Sequence, residues 1–213
     1  MRLEHNPLIK QDITYEQASS CGITIIQSDD FPTEAWVRSL ADQSGCEPGA
    51  LTLIVAPTQS AAGTTQIAGR INEDIIFSLE KSIGYDSTKV KQLLGSSPIA
   101  PLSKDQQEFC RAFPDDFLHY AGQAFLVLDA EPGEDVQGLA QALCFSSTSI
   151  YGRFFGNILE EAKGVFMDIP GLIDINKVAQ VTINDLNTGR IYSAGKRDVV
   201  LLKELLALKS KKL

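Results

Sequence analysis

Cysteine and histidine are both scarce in this 213-residue chain. The four cysteines, at 21, 46, 110 and 144, stand alone, and no CxxC pair occurs. A thiolate zinc site or a redox dithiol therefore has no ligand pattern behind it. The two histidines, His5 and His119, form neither an HxH nor an HExxH pattern, so a histidine metal site is not expected either. A Ser-His-Asp triad has no placed nucleophile, and His119, in DFLHYAG, reads as a structural residue. GxGxxG and GxxxxGK[ST] are missing, which removes the dinucleotide and P-loop readings. Positive charge is in deficit, with a net charge of −8, and the one basic run is Lys209, Lys211 and Lys212 at the C-terminus. That run suits the negative end of a helix dipole. Nucleic-acid phosphates would meet repulsion rather than a basic patch. No apolar run approaches the ~20 residues a membrane helix needs. The N-terminus, MRLEHNPLIKQD, lacks the apolar core of a signal peptide. Lone cysteines in apolar settings, such as Cys144 in ALCF, fit reduced core residues of a cytoplasmic protein.

What remains is an ordinary globular composition, 44% apolar and 22% charged. Residues 1–20 are polar and weakly patterned, and 21–213 carry the periodic segments. Cys21 to Gln27 and Leu51 to Pro57 are expected as buried strands. Between them, Pro32 suits a first helical turn, Trp36, Val37, Leu40 and Ala41 form an apolar face, and Gly45 ends the helix. Further strands are expected at Val90 to Leu94 and Ala124 to Ala130. Further helices are expected at Ser103 to Phe113, with Gln106 as capping-box partner of Ser103, at Asp135 to Leu143 and at Tyr151 to Lys163. Val178 to Leu186 and Arg190 to Ala194 read as an antiparallel hairpin around Asn187-Thr188-Gly189. Asp198 to Lys209 closes the chain as an amphipathic helix. Alternating strands and helices ending in a hairpin indicate an α/β fold with mixed sheet layers.

The most informative run is Leu51 to Asp86. A strand leads through a Gly/Ser/Thr turn into a helix whose Ile67, Ile71, Ile75, Leu79 and Ile83 recur every fourth residue. At ~100° per residue, Arg70, Glu73 and Phe77 cluster within ~60° on the opposite face. A carboxylate beside a guanidinium can hold and polarise water, or it can be an idle surface pair. Ser60, Gly63, Thr64 and Thr65 either cap the helix or turn amides and hydroxyls toward a ligand. Gln66 suits the edge of a heterocycle or a bridge between strands equally well.

The order of the motifs separates these readings. LIVAPT from Leu53 to Thr58 is followed by S-x-x-G-x-x-Q-I-x-G-R-x-x-E from Ser60 to Glu73, then by the SxPIAPLxKD stretch ending at Asp105. SSTSIYGR from Ser146 to Arg153 and VTINDLNTGRIYSAG from Val181 to Gly195 complete the series. In this order they resemble the methenyltetrahydromethanopterin cyclohydrolases, over nearly all the chain from about Cys21 onward. The resemblance implies α/β lobes around a pterin cleft, a small-molecule pterin substrate, no prosthetic group and a homo-oligomer, commonly a trimer. It also implies that Arg70 and Glu73 are catalytic, and that Ser60, Thr65, Gln66 and Ser147 line the substrate site, with no metal. The reaction implied is hydrolysis of the 5,10-methenyl compound to the 5-formyl compound, reversibly.

The chain departs from the family in several places. The family's Asn-Asp pair is Asp115-Asp116 here, its glycine pair is Ala121-Gly122, Gln123 stands where some members have arginine, and Phe154 replaces a proline. A first glycine needing positive φ or close substrate approach would be disturbed by Ala121. Family members also carry a substantial segment ahead of the strand at 21–27, so the chain corresponds to their C-terminal portion. The alternative expectation is a non-catalytic short paralogue that binds a pterin or acts in assembly.

Overall fold

A computed structural model describes residues 21–57, 59–102 and 112–211. The chain divides into two units, Met1–Thr58 and Gln59–Leu213. The 1–20 segment and most of the expected Ser103 to Phe113 helix lie outside the described residues, as do Cys110 and the side chains of the C-terminal lysines.

In the first unit, β1 (Gly22–Gln27) and β2 (Leu51–Ala56) pair in parallel, from Gly22 opposite Leu51 to Gln27 opposite Ala56. Parallel neighbours need a crossover, which α1 (Glu34–Ser44) supplies. The Thr33 hydroxyl caps α1 by accepting from the Trp36 amide at 3.3 Å, so Pro32 precedes the helix instead of opening it. Gly45 ends it at φ 66. The two strands are not buried as expected: Ile23 and Ile25 are 73% and 72% exposed, and Ile54 is 50% exposed.

The second unit holds a four-stranded sheet, β3 (Val90–Ser96), β4 (Gln123–Leu128), β5 (Gln180–Asp185) and β6 (Ile191–Gly195), in that spatial order. β4 and β5 run parallel, and the outer pairs are antiparallel. The expected hairpin is β5–β6, turning at Gly189 with φ 66. Mixed pairing under helices makes the unit α/β. Alternate residues Leu126, Leu128, Val181 and Ile183 bury one sheet face against Ile71, Ile75 and Leu79 and against Leu139, Ala140 and Leu143. The last three lie on or just after α5 (Val136–Ala142), which Asp135 caps through the Gly138 amide at 2.8 Å.

The helix expected through Ile67 to Ile83 is divided. α2 (Ala61–Gly69) ends at Arg70, which has φ −74 and ψ −6, and α3 (Ile71–Phe77) starts beyond it. A π turn over Ser78–Ile83 then ends at Gly84 in the left-handed region. Residues four apart drift around a straight α-helix, but the break at Arg70 and the wider π turn absorb the drift. Ile67, Ile71, Ile75 and Leu79 therefore all stay buried.

α4 (Phe113–Ala121) was not anticipated. Pro114 opens it, and Asp115 and Asp116 sit in its first turn, where the helix dipole favours carboxylates. Ala121 ends this helix as a buried residue and is not among the positive-φ positions, so the conformation accepts a side chain where the family has glycine. The helix expected from Tyr151 shortens to α6 (Phe155–Glu161), because Gly152 takes φ 87 and Phe154 is extended. α7 (Val199–Lys211) starts with the Asp198 carboxylate accepting from the Leu201 amide at 3.1 Å. α4 packs against α2, α6 and α7. His119 is buried on α4, stacked on Phe145 at 4.1 Å, with Nε2 against the Ile175 carbonyl at 2.7 Å. This is the structural role expected of it. Cys144 is buried too, and burial raises its thiol to about 11, so it stays protonated and inert.

Candidate active site

Arg70 sits at the α2–α3 junction, which puts its side chain over the first turn of α3. Its Nε donates to Glu73 Oε2 at 3.1 Å, and its Nη2 donates to Oε1 at 3.0 Å. This fork-to-fork contact fixes the carboxylate's plane as well as its position. Glu73 is 64% exposed at the side chain and Arg70 41%. Water therefore reaches the carboxylate. An exposed pair of this spacing is by itself worth only a few tenths of a kcal/mol.

The surroundings set this pair apart from an ordinary surface bridge. Asp74, next in sequence, points into the protein with 8% of its side chain exposed, and its Oδ1 lies 3.9 Å from Arg70 Nη2. Desolvation raises its carboxyl to about 7, against the lowering pull of Arg70. The packing of α4 on α2 brings Asp115 into the same field. Desolvation raises Asp115 to about 7 as well, again opposed by Arg70. Burial opposes the charge on Arg70, but the Glu73 hydrogen bonds and the neighbouring carboxylates outweigh it and raise its pKa further. Asp116 is fully buried, and its Oδ1 accepts from the Phe155 amide at 2.8 Å. Desolvation raises it well above the carboxylate range, which favours its neutral form. One guanidinium thus serves an exposed carboxylate and two that titrate near neutrality.

The other expected site residues have different surroundings. Ser60 caps α2, its hydroxyl accepting from the Gly63 amide at 3.0 Å. Thr64 is buried and bonds back to the Ser60 carbonyl at 3.1 Å. Thr65 and Gln66 are exposed on α2, and Gln66 lies four residues before Arg70. Helical spacing puts Gln66 on the Arg70 side. Ser147 is exposed on the short turn Phe145–Ser147, with its hydroxyl bonded to the Ala142 carbonyl at 3.2 Å and not to the Arg70–Glu73 pair. Asp74 and Asp115 were not singled out as site residues from sequence. The available signal was Asp74's position four residues after Arg70 and between the buried Ile71 and Ile75. Among the described residues, no group of three or more His, Cys, Asp or Glu side chains is arranged to hold a metal ion. No described helix is long and apolar enough to cross a membrane.

Comparison with known proteins agrees with the motif series. Residues 3–206 match the family model described as Cyclohydrolase (MCH). A methenyltetrahydromethanopterin cyclohydrolase of Methanococcus maripaludis is 31% identical over 196 residues, 92% of this chain and 60% of that protein. The protein of the same name from Methanobrevibacter smithii is 32% identical over 196 residues, 91% of this chain and 59% of that protein. The one from Methanothermobacter marburgensis is 30% identical over 186 residues, 87% and 57% respectively. The chain thus spans about 60% of the length of the curated relatives it matches. With nearly its whole length inside the family model, and with the Arg70–Glu73 pair formed within the motif that carries the resemblance, the chain belongs to the cyclohydrolase (MCH) family.

Proposed function

We propose that this chain hydrolyses 5,10-methenyltetrahydromethanopterin to the 5-formyl compound, with Glu73 as the base and Arg70 as its partner. The single observation that carries the reading is the two-point hydrogen bond between an exposed Glu73 and Arg70. The methenyl carbon is an amidinium-like cation between two pterin nitrogens. Water held by Glu73 attacks that carbon, forming the C–O bond while the carboxylate takes the proton. The tetrahedral adduct then breaks one C–N bond: Glu73 returns the proton to the departing nitrogen, and the adduct's hydroxyl proton leaves to water as the formyl C=O forms, so the cation's charge departs as one released proton. The formyl group stays on N5. Each step has a microscopic reverse, so the same groups serve ring closure. The substrate brings its own positive charge, so its carbon needs no further activation. The acidic surroundings of Arg70 suit a cation.

Gln66, exposed on the Arg70 side of α2, and Thr65, exposed beside it in sequence, are proposed to contact the pterin. Ser60 and Ser147, with hydroxyls engaged by backbone, are proposed to act by shaping the site. A cytoplasmic homo-oligomer, a trimer by resemblance, is the proposed assembly. A second reading, a pterin-binding protein without turnover, draws on the span of about 60% of the relatives' length. The test is to mix the purified chain with the methenyl compound and follow the loss of its conjugated chromophore. Turnover supports hydrolysis, binding with an unchanged chromophore supports the second reading, and neither result contradicts both.

A further inference from the structure

The inference concerns Asp74 and rests on the Arg70–Glu73 reading just given. A buried carboxylate costs stability unless it is paired or hydrogen-bonded. Asp74 is buried on the core side of α3, between Ile71 and Ile75, where an apolar residue would pack at no such cost. Among the described residues, the opposite charge that pairs with it is Arg70 Nη2, 3.9 Å from Oδ1. The same Nη2 donates to Glu73 Oε1. The guanidinium therefore lies between an exposed carboxylate and a buried one. An arginine held only by the exposed partner would swing with it, because surface pairs of this spacing are weak.

We infer that Asp74 is a positioning residue, whose buried carboxylate anchors the Arg70 guanidinium from the core side so that its fork presents a fixed face to Glu73. The charged groups acting on this anchor are Arg70 and Glu73 from its own helix pair and Asp115 from α4. Asp74 does not touch the reacting atoms. It acts through Arg70, and it acts while ionised.

The test is nuclear magnetic resonance of the full ¹⁵N-labelled chain, reading the Arg70 Nε–H signal, identified by its loss in Arg70→Lys. Its exchange protection relative to free arginine is expected to fall about tenfold in Asp74→Asn, a loss equivalent to one charged contact. In the wild-type chain the same fall is expected between about pH 8 and about pH 6, as Asp74 takes up a proton, and Asp74→Asn is expected to lack that dependence. Asp115→Asn, which leaves the anchor in place, is expected to keep most of the protection. In turnover, Asp74→Asn is expected to lower kcat with KM unchanged and to lose the acidic limb of the kcat profile. Unchanged Arg70 protection in Asp74→Asn overturns the inference, and so does wild-type protection that is flat from about pH 8 to about pH 6. Asp115 titrates in the same range, so the wild-type series is read beside that of Asp115→Asn, in which the fall between about pH 8 and about pH 6 is expected to persist. Full turnover by Glu73→Gln would instead remove the Glu73 reading and leave the anchoring result standing on its own.

Discussion

Gly95 on β3 lies directly beneath Ile71 on α3, so close that a Cβ at Gly95 would fall 2.1 Å from Ile71 Cγ2 and 2.6 Å from Asn72 Oδ1. The helix that carries Glu73 and Asp74 is thus seated on a strand position with no room for a methyl group. Gly95→Ala is expected to lift the start of α3, destabilise the protein by about 1–3 kcal/mol and loosen the Arg70–Glu73 contact. Urea denaturation measures the first effect, and turnover of the methenyl compound measures the second. A variant with wild-type stability would mean that α3 is not seated this tightly.

Asp116 makes stability depend on pH in an unusual direction. Its folded-state pKa is raised, so its contribution is complete below the ordinary carboxylate range and is lost as pH rises. Asn preserves the oxygen that accepts from the Phe155 amide and has no proton to lose. Asp116→Asn is therefore expected to match the wild type at about pH 3 and to gain stability relative to it as pH rises toward about 7. Denaturation midpoints at the two pH values check this. A variant less stable than the wild type at both would show that Asp116 is held ionised.

His119 acts in the opposite sense, three residues further along α4. Burial lowers its pKa to about 4, against the Ile175 carbonyl's opposite pull. Since Nε2 meets that carbonyl, Nε2 carries the hydrogen and Nδ1 is the bare acceptor. Stability from neutral His119 is present above about 6.5 and is lost as pH falls toward about 4. His119→Gln is expected to remove much of the acid destabilisation between those limits while costing about 1 kcal/mol at neutral pH. Equal acid slopes in the two proteins would contradict this assignment.

The parts of the fold that could be read from sequence were those specified by local pattern. β4 and β5 alternate cleanly between core and half-exposed positions, and Asn187-Thr188-Gly189 marks the turn to β6. Cys144 and His119 sit in apolar runs, and both are buried. What failed depended on which partner covers a segment. The runs at β1 and β2 look alike whether one face is buried or both, and Ile23 and Ile25 proved exposed. Nothing in Gly69-Arg70-Ile71 announces a helix break, because no proline marks it, and the π turn after Phe77 has no composition of its own. In the site, Arg70 and Glu73 were visible through their spacing. Asp74 was hidden because it follows Glu73 directly and reads as part of the same polar face. Asp115 was visible as a departure from the family's asparagine, but its link to Arg70 arises only when α4 packs on α2.

The central claim is that Glu73 moves the proton of the attacking water. The most direct measurement compares Glu73→Gln with the wild-type chain in hydrolysis of the methenyl compound, alongside the binding of that compound to both. Gln keeps the size and a hydrogen-bonding oxygen for Arg70 but cannot take a proton. Turnover is expected to fall by about 10²–10⁴-fold with pterin binding largely retained. Near-wild-type turnover in Glu73→Gln would contradict it.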